Sequence, residues 1–454
     1  SCLVLSPIFG VGPVAMRIML VSCCFFPRIG GVEAHMLELA RYLIRRGHDV
    51  IVVTSSPKGQ IAVGYRDLGQ GLRVWYIPIP LTLGTGSGQG SPTPLLSMSF
   101  PFARALMRFH RTELIHVHHS YSVVAMEFAL HGACLGVPVI STDHSLSRAT
   151  LPELAVQGIS SLIIGAACSS ALAVTHAVSD NMCARGIGSV SGGVQVVPNP
   201  VVIPAVSDAC DIGYPDPGMV RVVMVARLTQ RKGADLLADI APPLLADPGV
   251  ELVVVGEGPC ATTMAQAGEA VPQGQRRFRM LGALRRVAAF GVVRRSHIMV
   301  VPSLTEAFGI VICEALAAGA VVVATDVGGA RDVYESVAPD LASQFIVPCS
   351  REGVLDGLQR AVALCRAAPE KYRPSPSRRG YRREIASLYG VETVGQRLER
   401  LYAKTVDGFT PHSLWSMLAS VWRGNGHPRV LFYQCLVSLC ILCNACLMVL
   451  SGGL

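Results

Sequence analysis

At 454 residues the chain exceeds what one hydrophobic core fills, so two domains of roughly 150 to 200 residues are expected. A net charge of +8, with few aromatics beside the basic residues and no nucleic-acid motif, argues against a nucleic-acid partner. Apolar residues at 51% are many for a soluble protein and direct the search to a membrane segment.

Residues Ser1 to Ala15 are apolar without a basic n-region, so they are taken as an extension rather than a signal peptide, with the folded chain starting at Met16. Arg17 to Ser22 is an apolar strand. Val32 to Arg46 carries Val32, Met36, Leu39, Ala40 and Leu43 on one helix face, and Gly47 ends it. Val50 to Val53 completes a βαβ unit whose first loop holds Gly30 and Gly31 ahead of a helix N-terminus, where backbone N–H groups suit a phosphate. Gly84 to Pro94 is a Gly/Ser/Thr/Pro-rich surface loop before the helix Phe102 to Phe109.

The strands Leu114 to His118 and Val137 to Ser141 end in His116, His118 and His119 and in Thr142, Asp143, His144 and Ser145. In an open parallel sheet that edge faces the ligand crevice, which favours a functional reading for both groups. A metal site on His116 and His118 is the rival, and no third ligand is evident from the sequence. Ala171 to Ser179 and Val194 to Val197 are further strands, giving a first domain over 16–203.

Pro- and Asp-rich residues 204–218 form a linker, and a second alternation occupies 219–372. Its strands are Val220 to Ala226, Glu251 to Val255, Phe278 to Leu281, Ile298 to Val301 and Ala320 to Ala324. Loops follow them: Arg227 to Gly233, then Gly256-Glu257-Gly258-Pro259, then Glu306, Ala307, Phe308 and Gly309 before a helix from Gly309 to Ala318 that carries Ile310 and Glu314. The expected fold class is α/β, with two doubly wound parallel-sheet domains facing each other across a crevice.

Residues 373–404 are basic and helical, and Arg366 to Lys404 holds ten Lys/Arg against four Asp/Glu, a surface suited to anionic lipid. Val430 to Leu450 has no formal charge over 21 residues and matches a single membrane span, with Arg423 and Arg429 keeping the large N-terminal part cytoplasmic. Four of the 15 cysteines lie inside that span. The others show neither CxxC pairs nor metal-finger spacing, which points to reduced, mostly buried thiols.

These motifs together resemble the retaining glycosyltransferases of the GT-B fold, over Met16 to about Lys404: the Gly30-Gly31 loop, VARLTQRKG at Val225, GEGP at Gly256, and the acids Glu306 and Glu314 eight residues apart. FFPRIGGVEAH at Phe25, LIHVHHSYS at Leu114, STDHS at Ser141, RKGADLL at Arg231, LGAL at Leu281 and SLTEAF at Ser303 are similar to the family of catalytic subunits of phosphatidylinositol N-acetylglucosaminyltransferase. The chain departs from that pattern at Pro200 to Ile203, at Ser147 to Thr150 and in lacking a proline within Gly328 to Arg331.

The resemblance implies UDP-N-acetylglucosamine as donor and phosphatidylinositol as acceptor, in the first step of glycosylphosphatidylinositol (GPI) anchor synthesis. It implies the cytoplasmic face of the endoplasmic reticulum membrane, membrane lipids and small membrane subunits as partners, and retention of configuration. No cofactor is expected. The chain contains no Asp-x-Asp, so Arg227 and Lys232 are expected to stabilise the leaving diphosphate without a metal, assisted by Gly30 and Gly31. Glu314 is assigned to the ribose hydroxyls and Glu306 to the sugar, with Gly256, Glu257, Ala307, Phe308, Gly309 and Ile310 around the donor. His144 is expected to contact the reacting sugar or its phosphate, and His118, His119, Asp143 and His144 to lie on the acceptor side. A transferase with another nucleotide sugar or lipid acceptor, and a silent membrane scaffold, are the alternatives.

Overall fold

The computed structural model describes residues 15–28, 30–56, 61–78, 100–119, 122–146, 151–187, 190, 193–205, 212–270, 277–375, 378, 380–422, 434–435, 437–439 and 441–443. The expected extension before Met16, the loop Gly84 to Pro94 and the departing segment Ser147 to Thr150 lie outside these residues apart from Ala15.

Fourteen strands form two sheets among the described residues. In chain order they are β1 (Arg17–Ser22), β2 (Asp49–Ser55), β3 (Gly64–Asp67), β4 (Arg73–Ile77), β5 (Leu114–His118), β6 (Val139–Asp143), β7 (Ser170–Ala173), β8 (Val194–Val196), β9 (Val220–Val225), β10 (Val250–Val255), β11 (Phe278–Met280), β12 (Ile298–Val301), β13 (Val321–Thr325) and β14 (Ile346–Val347). The first sheet has the order β3-β4-β2-β1-β5-β6-β7-β8, and the second β11-β10-β9-β12-β13-β14. Every pairing is parallel except β3 with β4. Central strands such as β10 and β13 are buried at every position, as expected where helices cover both faces of a parallel sheet.

The helix Gly31–Arg45 buries Met36, Leu39, Ala40 and Leu43 on a single stripe. Gly47 follows in the left-handed region (φ 89°), which relieves the turn into β2. The helix Val391–Asp407 returns to the first sheet, where Gly395 lies against the Tyr42 ring and Tyr402 is fully buried.

Three sequence expectations are corrected. The strand expected from Ala171 to Ser179 stops at Ala173, because Thr175 accepts a hydrogen bond from Val178 N and starts the helix His176–Ala184. The helical stretch expected within 373–404 is split into the helices Arg382–Tyr389 and Val391–Asp407, separated at Gly390. The basic surface is partly structural: the Arg378 guanidinium is turned inward onto the carbonyls of Arg294, Ser296, Ala318 and Tyr372, and Arg366 is paired with Asp247.

The helix Leu414–Trp422 packs on Leu151–Ala167, with Ser420 Oγ donating to Gly165 O at 2.9 Å. Most of the expected span Val430 to Leu450 lies outside the described residues. Among the described residues no helix is long and apolar enough to cross a membrane.

Candidate active site

The loops that follow β1, β5, β6, β9, β10, β12 and β13 all leave the C-terminal edges of their sheets, where ligands of doubly wound folds bind. The two sheets meet there. Thr175 Oγ1 donates to Ala307 O at 2.8 Å, and Asp332 Oδ2 accepts from His176 N at 2.9 Å, so the N-terminus of one domain's helix is capped by the other's carboxylate. Gly328 and Gly329 pass so near the Glu306 and Ala307 carbonyls that a side chain at either would collide with backbone.

After β9 the chain makes one turn of 3-10 helix, Gln230–Lys232, and enters the helix Ala234–Leu245 through Gly233 at φ 69°. A Cβ on Gly233 would run into the Pro302 carbonyl, so only glycine lets this turn lie against the loop after β12. That approach brings Lys232 Nζ to 2.5 Å from Glu306 Oε2, with both side chains mostly buried. Leu304 N donates to Arg231 O at 2.9 Å and Leu228 N to Glu257 O at 2.8 Å, tying three of the expected donor loops together. Arg227 is exposed and Glu257 accepts from Ala283 N at 3.3 Å.

Gly309, at φ 89°, precedes the helix Ile310–Ala317. A methyl group on Gly31 would sit 3.9 Å from Ile310 Cδ1, so the N-termini of Gly31–Arg45 and Ile310–Ala317 face each other across the crevice. Each helix start carries the positive end of its dipole. Glu33 lies over Gly30 and places a carboxylate beside the first of them. Phe308 is buried against the Tyr389 ring, with ring centres 5.2 Å apart.

Glu314 receives Arg286 Nε on Oε1 at 2.7 Å, and the same guanidinium donates to Val202 O at 2.6 Å. Burial raises the Glu314 carboxyl above its ordinary range, against the pull of Arg286. Arg286 was not expected from the sequence, since nothing local marks a surface arginine that reaches an acid 28 residues on.

Across the crevice the histidines form one cluster. His118 Nδ1 and His144 Nε2 are 3.1 Å apart, and the His35 ring lies 4.6 Å from that of His144 and 5.2 Å from that of His118. All three are buried, and desolvation holds each well toward the neutral form, His35 at about 4. His35 Nδ1 pairs with Asn199 Oδ1 at 2.8 Å. His116, expected beside His118 as a possible ligand pair, has both nitrogens engaged, by Tyr402 OH at 2.6 Å and Thr142 Oγ1 at 2.7 Å. His119 Nε2 meets Ser145 Oγ at 3.0 Å. Asp143 is fully buried and paired with Arg185, which makes it a structural anion inside the acceptor-side group. The sequence missed His35 as a member because it stands on a helix far from the other histidines in the chain.

Residues 29–203 match the family described as Glycosyltransferase Family 4, and residues 220–361 the family described as Glycosyl transferases group 1. The chain is 30% identical over 395 residues to a phosphatidylinositol N-acetylglucosaminyltransferase subunit from Homo sapiens, covering 85% of this chain and 75% of that protein. It is 29% identical over 396 residues to the like-named protein from Arabidopsis thaliana, covering 87% and 83%. Among solved structures it is similar to a sucrose-phosphate synthase from Thermosynechococcus elongatus, with a TM-score of 0.62, 19% identity, and coverage of 85% and 98%, a likeness that shows the GT-B fold. The chain is thus a glycosyltransferase with two Rossmann-like domains, and it belongs to this family of phosphatidylinositol N-acetylglucosaminyltransferase subunits.

Proposed function

We propose that this chain transfers N-acetylglucosamine from UDP-N-acetylglucosamine to phosphatidylinositol, the first step of GPI-anchor biosynthesis, with retention of configuration and without a metal at the phosphates. The observation that carries the reading is the meeting of Lys232 and Glu306 beside two opposed helix N-termini, in a chain whose relatives carry that activity in their names.

In this reading the donor diphosphate lies between Gly30-Gly31 and the pair Arg227 and Lys232. Their fixed positive charge and the helix dipoles act on the negative charge that grows as the sugar leaves. Glu306 accepts a sugar hydroxyl, exchanging its bond to Lys232 for one to the ligand while Lys232 turns to phosphate. Glu314 takes the ribose hydroxyls on the oxygen that Arg286 leaves open, and Arg286 fixes its rotamer. Gly256, Glu257, Ala307, Phe308, Gly309 and Ile310 wall the donor. His144, neutral in its buried setting, donates to the sugar or the leaving phosphate, and His118 and His119 line the acceptor side.

The membrane setting belongs to the same reading: a cytoplasmic-face enzyme of the endoplasmic reticulum, held by a single span over Val430 to Leu450 and assembled with small membrane subunits. Relatives named as subunits and the charge-free 21-residue run support it. Microsomes carrying the chain, given labelled UDP-N-acetylglucosamine without added Mg²⁺ or Mn²⁺, are expected to yield a labelled phosphatidylinositol glycolipid. Label in a different lipid would change the acceptor, a requirement for either ion would remove the metal-free clamp, and no label would leave the scaffold reading.

A further inference from the structure

We propose that His35, His118 and His144 form a binding site for one divalent transition-metal ion of the zinc class, in the first domain. Each residue offers one ligand atom, and the three atoms lie within 4.8 Å of one another in a fully buried position. His35 Nε2, the nitrogen that Asn199 leaves open, makes no hydrogen bond among the described residues. Buried polar atoms are nearly always paired, so this bare nitrogen beside the facing His118 Nδ1 and His144 Nε2 points to a missing partner.

The ring spacing fits an ion. A metal about 2.05 Å from an imidazole nitrogen stands about 3.2 Å from the ring centre, so rings at tetrahedral angles have centres about 5.2 Å apart. The observed separations are 4.6, 5.2 and 5.4 Å. The 3.1 Å between His118 Nδ1 and His144 Nε2 is also close to the edge of such a tetrahedron, and a modest turn of the rings closes the third side.

The outer shell suits the same role. The Asn199 carbonyl oxygen holds the proton on His35 Nδ1 and leaves Nε2 with its lone pair, the arrangement that orients metal-binding histidines. The nearby carboxylate Asp143 is held by Arg185, so the donor set is nitrogen alone, which selects zinc-like ions over Mg²⁺ or Ca²⁺. Bound there, the ion joins the helix Gly31–Arg45, β5 and the end of β6, and fixes the proton of His144 on its free nitrogen.

The test reads metal binding, not transfer, so its outcome is separate from that of the proposed reaction. Full-length protein stripped by chelator is titrated with Co²⁺. The expected result is one equivalent bound with the intense visible absorption of tetrahedral Co²⁺, displaced by Zn²⁺, and at least tenfold weaker binding in His118→Gln and His35→Gln. Absence of that absorption, a thiolate charge-transfer band, or unchanged affinity in both variants overturns the proposal. If the variants fail to fold by circular dichroism, X-ray absorption of the zinc-loaded wild type decides: imidazole scattering with nitrogen at about 2.0–2.1 Å supports the site, and its lack overturns it.

Discussion

Lys232 donates to Glu306 across 2.5 Å, which places the cation assigned to the donor diphosphate and the acid assigned to the sugar within one bond of each other. They stand 74 residues apart in the chain, and Gly233 against the Pro302 carbonyl is what lets their loops touch. In the proposed reaction a ligand that carries both phosphate and hydroxyl opens this pair.

Lys232→Ala removes a fixed cation from the developing diphosphate charge. The expected loss is about 3 kcal/mol of transition-state stabilisation, comparable to removing an oxyanion donor, or roughly 150-fold in kcat/KM. Steady-state kinetics in microsomes measure it, and an unchanged turnover would show that the phosphates are held elsewhere.

Glu314→Gln keeps the shape of the side chain but weakens its acceptance of two ribose hydroxyls. The donor KM should rise with kcat nearly constant, and Arg286→Ala should shift KM in the same direction because Arg286 orients the carboxylate. A fall confined to kcat would move Glu314 to the reacting end of the donor.

Gly233→Ala forces a side chain onto a left-handed backbone and into the Pro302 carbonyl. About 1–3 kcal/mol of stability should be lost, read as a lower denaturation midpoint. Because the strain is relieved by moving the Lys232 turn, kcat/KM should fall with it.

How far this was legible in the sequence follows from where each signal lies. Apolar runs such as Val220 to Val225 and Ile298 to Val301 announced buried parallel strands, and Gly30 and Gly31 announced the loop after the first strand. The edge strand Gly64–Asp67 carries mostly exposed, polar positions and gave no such pattern. Thr175 turned an apolar run into a helix start through one side-chain hydrogen bond, a local event that hydrophobicity does not record. The partners Arg286 with Glu314 and His35 with His118 and His144 exist only after folding brings distant segments together.

Glu399 anchors the returning helix by accepting from Tyr42 OH at 3.0 Å, beside His48 at 3.0 Å and Arg46 at 3.3 Å. Burial works to raise its carboxyl, but the bonds from His48 and Tyr42 and the charge of Arg46 bring it below the usual 4.5. A lowered carboxyl contributes stability above its unfolded value, and that contribution is lost as pH falls below 4.5 through the folded value. Glu399→Gln should therefore cost about 2 kcal/mol at pH 7 in denaturant unfolding and less at acid pH. An equal cost at both pH values would assign the effect to packing.

Transfer of N-acetylglucosamine onto phosphatidylinositol, from a donor held by Lys232, Glu306 and Glu314, is the central claim. Its most direct measurement gives microsomes bearing the chain phosphatidylinositol with labelled UDP-N-acetylglucosamine, UDP-glucose or GDP-mannose in parallel, and follows label into lipid released by a phosphatidylinositol-specific phospholipase. Label is expected from UDP-N-acetylglucosamine alone, reduced on the order of 100-fold in Lys232→Ala. Label from another donor, or equal label with the variant, would contradict it.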